Sequence, residues 1–145
     1  MSDTLLKLWE SVIDKNLCRP PVFDVLSIKE FSLIYNGFGP DSWPAELRAV
    51  MSWVYRNFKD LASVHDVQFH FSNGTEDGYQ LTLSYWRHNS SVLLDLRYPL
   101  TRPWLYPMRC VAWTKLRAAY RALQAFSRPV YMAAHERRKT MAGTV

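Results

Sequence analysis

At 145 residues, 48% hydrophobic and 21% charged, the chain suits one domain with a buried core and is not a disordered or low-complexity polymer. Charges break its apolar runs before the ~18 residues a membrane span needs. Its start carries Asp3 and Glu10 among the apolar positions rather than the basic end and apolar block of a secretory signal, so synthesis into a cytoplasm is expected.

Leu5, Leu6, Trp9, Val12, Ile13 and Leu17 recur at helical spacing, and Arg19-Pro20-Pro21 ends that first helix. Residues 22–34 have mixed periodicity and read as extended chain leading into Tyr35-Asn36-Gly37-Phe38-Gly39-Pro40. Pro44 near the first turn and Glu46 at the positive end of the dipole start a helix with an apolar stripe of Leu47, Val50, Met51, Val54 and Phe58.

Residues 59–98 admit two readings. Val67, Phe69 and Phe71, then Tyr79, Leu81, Leu83 and Tyr85, alternate with polar residues around a Ser-Asn-Gly turn, which describes a three-stranded meander over 64–98 and an α+β fold. The same stretch gives helices with Leu61, Val64 and Phe71 on one face and Tyr79, Leu83, Trp86 and Leu93 on another, with no Gly or Pro from 79 to 98.

A proline-broken connection containing Trp104 and Tyr106 leads to a helix from about 107 to 126 with Ala112, Leu116, Ala119, Tyr120, Leu123 and Phe126 on one face. Ser127-Arg128-Pro129 interrupts it, and a last basic turn or two follow over 131–139. The net charge of +5 is uneven: residues 1–100 hold nine Lys/Arg against twelve Asp/Glu, residues 101–145 nine against Glu136 alone. Cys18 and Cys110 read as buried thiols, since two lone cysteines cannot build a zinc site. The tryptophans read as core, with Trp104 and Trp113, among arginines, as the exceptions.

Two short stretches are hard to justify as packing. Alternate glycines in 35–40 let the segment curl and aim successive carbonyl oxygens at one point, and Ca²⁺ takes six to eight oxygen ligands, usually with a carboxylate among them. Asp66 would supply the carboxylate, and its neighbour His65 suits the general base that takes a proton from water, a task for which histidine is the commonest side chain.

Tyr35-Asn36-Gly37-Phe38-Gly39 followed by His65-Asp66 resembles the phospholipase A2 superfamily. The resemblance implies that the carbonyls of Tyr35, Gly37 and Gly39 and the carboxylate of Asp66 hold calcium while His65 activates water. The 26 residues from Gly39 to His65 and the Asn-Gly-x-Gly-Pro loop resemble the cysteine-poor bacterial and phage branch, which implies a bacterial host cell or a phage particle as the setting. It also implies a mainly α, phospholipase-A2-like helical domain, with an N-terminal helix, a basic C-terminal helix and a core over about 33–136 of a single domain 1–145.

The chain departs from the pattern at Phe69, where the family has a supporting tyrosine, and at 80–91, which lack the aspartate that orients the histidine. Asp77 and Asp95 are the nearby carboxylates, and Asp77 is the candidate for that role. The expected activity is calcium-dependent hydrolysis of a glycerophospholipid ester at a membrane surface. The alternative is a phage structural or accessory protein that keeps the fold and binds a protein or nucleic-acid partner through its basic C-terminal region. That region suits anionic lipid headgroups or, without a recognised motif, the phosphates of a nucleic acid.

Overall fold

The computed structural model describes residues 2–35 and 44–143. Among them are six α-helices and three short 3-10 turns with no strand, so the protein is mainly α. Chain contacts divide it into two compact units, residues 1–70 and 71–145.

In the first unit, α1 (Ser2–Asp14) is followed by a 3-10 turn (Pro21–Val25), α2 (Ile28–Ile34), α3 (Ala45–Val54), a second 3-10 turn (Arg56–Phe58) and α4 (Lys59–His70). Helices α1, α2 and α4 pack on one another around Val12, Leu17, Phe23, Phe31, Leu61, Val64 and Val67. The Trp9 indole N–H donates to the Phe23 carbonyl at 3.1 Å, tying the 3-10 turn to α1. Asp60 is buried, and Lys15, on the chain just after α1, meets its carboxylate at 2.5 Å.

Three sequence expectations are corrected here. Residues 22–34 are not one extended stretch but most of a 3-10 turn and then α2, separated by extended Leu26 and Ser27; a capping box starts α2, where the Ser27 hydroxyl accepts from the Glu30 N–H at 3.2 Å and the Glu30 carboxylate accepts from the Ser27 N–H at 2.9 Å. Helix α3 forms, but no residue of it is buried, and Leu47 and Val50 of its expected core stripe are exposed. Periodicity records an amphipathic helix without saying what covers it. Cys110 is exposed and Cys18 half-buried, so neither thiol is a core residue.

The meander over 64–98 is replaced by α4 and α5 (Glu76–Arg97). The helical stripe Tyr79, Leu83, Trp86 and Leu93 is buried, whereas Leu81, a member of the alternating set, is exposed. Packing of one helical face therefore decided between two periods that the residues satisfied equally well.

The second unit is a hairpin of α5 and α6 (Tyr106–Ala142), joined through a 3-10 turn (Pro103–Leu105). The pairs Asp95–Arg109 at 2.7 Å and Glu76–Arg128 at 2.6 Å show that the two helices run antiparallel. Helix α6 continues through Pro129 instead of breaking at 127–129. A proline removes one N–H and crowds the preceding turn, and that turn is braced by neighbouring hydroxyls. Ser127 donates to the Leu123 carbonyl at 2.6 Å, and Tyr79 from α5 donates to the same oxygen at 3.0 Å. Phe126, expected on the buried face, is exposed, and Ser127 and Tyr131 are buried in its place.

At the far end of the hairpin, the Ser72 hydroxyl donates to the Tyr131 carbonyl at 2.8 Å, and the Ser72 carbonyl receives Arg138 and lies 3.0 Å from His135 Nδ1. Gly74 there has φ +68°, and a Cβ would meet the His135 ring at 2.5 Å, so both backbone angle and space require glycine.

Candidate functional site

In the first unit, α2 ends at Tyr35, whose N–H closes the helix on the Phe31 carbonyl at 2.9 Å. The Tyr35 ring stacks on Phe31 with centroids 5.8 Å apart and planes at 5°, and Phe31 meets Phe23 edge-on at 5.7 Å. The α2 helix is thereby held against the core at the point where the glycine segment begins.

Helix α4 presents the other residues. His65 Nδ1 lies 3.8 Å from Asp66 Oδ1, beyond hydrogen-bond length but within reach of an ion pair once the imidazole is protonated. Their side chains are 18% and 15% exposed, so both are reachable from solvent while partly desolvated.

The Tyr35 phenol connects the two helices electrostatically. Burial pushes its pKa up to about 12, with the negative charges of Asp66 and Asp60 adding to the effect. Tyr35 thus feels the charge of Asp66, the carboxylate expected to bind calcium. Gly37 and Gly39 lie outside the described residues. Asp77 is exposed in the first turn of α5, in the second unit, where Thr75 caps the helix.

Phe69 has a role that the sequence reading missed. Its ring stacks on His65 with centroids 4.0 Å apart and planes at 29°. The Phe69 ring therefore packs against one side of the imidazole. The i, i+4 spacing on one helix was the available signal.

Among the described residues, no three His, Cys, Asp or Glu side chains gather into a metal cage. A calcium site of the kind expected does not need one, because most of its ligands would be main-chain carbonyls and water around a single carboxylate. Asp66, half-buried on α4, is a carboxylate of the kind such a site would use.

The Tyr35 pKa gives a direct pH prediction. A folded-state value above the ordinary ~10 of a tyrosine means that the proton stabilises the fold. This contribution is complete below pH 10 and is lost as pH rises from about 10 towards about 12. Alkaline titration followed by phenolate absorbance, wild type minus Tyr35→Phe, is expected to show one phenolate forming near pH 12. A difference curve centred near ~10 would place this ring in ordinary solvent.

No protein-family model matches the chain, nor does any curated protein or solved structure.

Proposed function

We propose that the first unit carries a phospholipase-A2-like site that hydrolyses a glycerophospholipid ester with the help of calcium. The observation that supports this reading most is the placement of His65 and Asp66 on α4, with Nδ1 3.8 Å from Oδ1, in a helix that packs on α2, whose C-terminal cap is Tyr35.

Asp66 and the carbonyls of Tyr35, Gly37 and Gly39 are the residues that would hold the ion. Bound there, calcium supplies a Lewis acid that polarises the ester carbonyl and offsets the developing oxyanion. His65, with the Phe69 ring packed against one side, takes the proton of the attacking water.

The test is release of fatty acid from phospholipid vesicles by the full chain. The expected result is turnover that requires calcium, stops on chelation and depends on His65. Turnover unaffected by chelation would remove the metal from the account.

A second reading rests on the exposed aromatic and basic surface of the second unit, which suits a binding protein with no chemistry of its own. Binding without turnover would favour it.

A further inference from the structure

The connection between α5 and α6 carries an unusual concentration of uncovered apolar side chains. Leu100 is 60% exposed, Trp104 71%, Met108 57% and Val111 56%, with Leu96 and Trp113 flanking them. These side chains project from a main chain that is itself well tied. The Arg102 N–H donates to the Pro99 carbonyl at 3.0 Å and the Leu105 N–H to the Arg102 carbonyl at 2.9 Å. The Tyr106 hydroxyl donates to the Leu100 carbonyl at 3.2 Å, and Arg109 bridges the Tyr98 carbonyl at 2.8 Å and Asp95 at 2.7 Å.

A turn whose main chain is braced in this way holds the roots of its apolar side chains in place, so less backbone entropy is lost when something binds them. The surrounding charge narrows what that something is. Between residues 95 and 117 there are five Lys/Arg and one carboxylate, Asp95, which Arg109 engages. Arg117 lies over the Trp113 ring at 4.9 Å.

Nucleic acid would use the cations and the rings, but Leu96, Leu100, Met108 and Val111 neither stack on bases nor donate to phosphates. An anionic lipid surface uses all three kinds of group. Aliphatic side chains leave water among the acyl chains, tryptophan and tyrosine sit at headgroup depth, and arginines meet the lipid phosphates and carboxylates.

We propose that the α5–α6 connection is a docking surface for anionic lipid membranes, inserting Leu100, Trp104 and Met108 at the interface while Arg102 and Arg117 face the headgroups. This goes beyond the hydrolytic reading, since docking requires neither calcium nor His65.

The experiment is co-sedimentation of the full chain with vesicles, in chelator, comparing pure phosphatidylcholine with vesicles of roughly one-third phosphatidylserine. The expected result is binding that favours the anionic vesicles and weakens as salt is raised. Leu100→Ser/Trp104→Ala is expected to weaken partitioning by roughly tenfold or more, with circular dichroism unchanged because both residues are largely exposed. Arg102→Glu/Arg117→Glu is expected to lose the preference for anionic lipid, and His65→Ala to bind as the wild type does.

Absence of vesicle binding, or equal binding by the Leu100→Ser/Trp104→Ala variant, would overturn the proposal. So would binding of single-stranded nucleic acid, or self-association, that the variant loses while vesicles are not bound. Docking without fatty-acid release would leave this inference standing and count against the hydrolytic one alone.

Discussion

Replacing His65 by alanine is expected to lower calcium-dependent fatty-acid release by roughly 10²–10⁴-fold, the usual worth of a positioned general base. On the proposed reading the loss should fall on kcat more than on KM, because a general base acts on the water proton in the transition state rather than on bound substrate. Folding should survive, since the residue is partly exposed and Val64 and Val67 keep α4 anchored from its buried side. The check is a rate measurement on vesicles with circular dichroism as the control. Undiminished turnover by a folded His65→Ala variant would move the chemistry elsewhere.

The second large effect concerns stability. Phe31→Ala is expected to cost about 3–5 kcal/mol, the range found when a fully buried aromatic ring is deleted. Phe31 has no exposed surface, meets Phe23 edge-on and supports the Tyr35 ring by stacking. Its removal leaves a cavity between α2 and the rest of the first unit's core, and the walls are held by helices that cannot collapse freely into it. Chemical denaturation followed by circular dichroism measures the loss. A cost under about 1 kcal/mol would mean that this core is loosely packed. Because Tyr35 rests on Phe31, the same substitution should also draw the Tyr35 phenolate transition down towards ordinary values, which ties the packing to the electrostatics of the site.

How far these features could be read from residue order varies along the chain. The first helix was visible because Leu5, Trp9 and Val12 recur at helical spacing, but its end was not: the helix stops at Asp14, with Asn16 at φ 49°, before Leu17 and the expected stop at Arg19-Pro20-Pro21. Helix α2 was equally visible in principle, since Ser27-x-x-Glu30 is a capping box, but its apolar residues do not keep a single period and the box was overlooked. Over 64–85 the residues satisfied two periods together, and only the burial of the Tyr79–Leu83–Trp86 face distinguishes them. Pro129 marked a break that did not happen: α6 runs through it, and the turn before it takes hydroxyl hydrogen bonds from Ser127 and from Tyr79, some fifty residues earlier, which leave no local pattern.

The candidate site was legible as chemistry rather than as geometry. Asp66 and His65 stood out by residue type and order, and their neighbouring places on α4 follow from that order alone. The stacking of Phe69 on His65 was hidden, because a phenylalanine signals burial and not which neighbour it packs on. The partner of Asp60 was hidden for a different reason: Lys15 is 45 residues away, and long-range pairing leaves no local pattern. The apolar turn between α5 and α6 was hidden in the opposite sense, since Leu100, Trp104 and Met108 look like core residues until their exposure is seen.

The claim at the centre is that Asp66 and the segment beginning at Tyr35 bind calcium, and calorimetric titration of calcium into the full chain tests it most directly. The result predicted is saturable binding of a single ion, abolished by Asp66→Asn with helix content unchanged. Heats that are absent in the wild type, or identical in the wild type and Asp66→Asn, would contradict it.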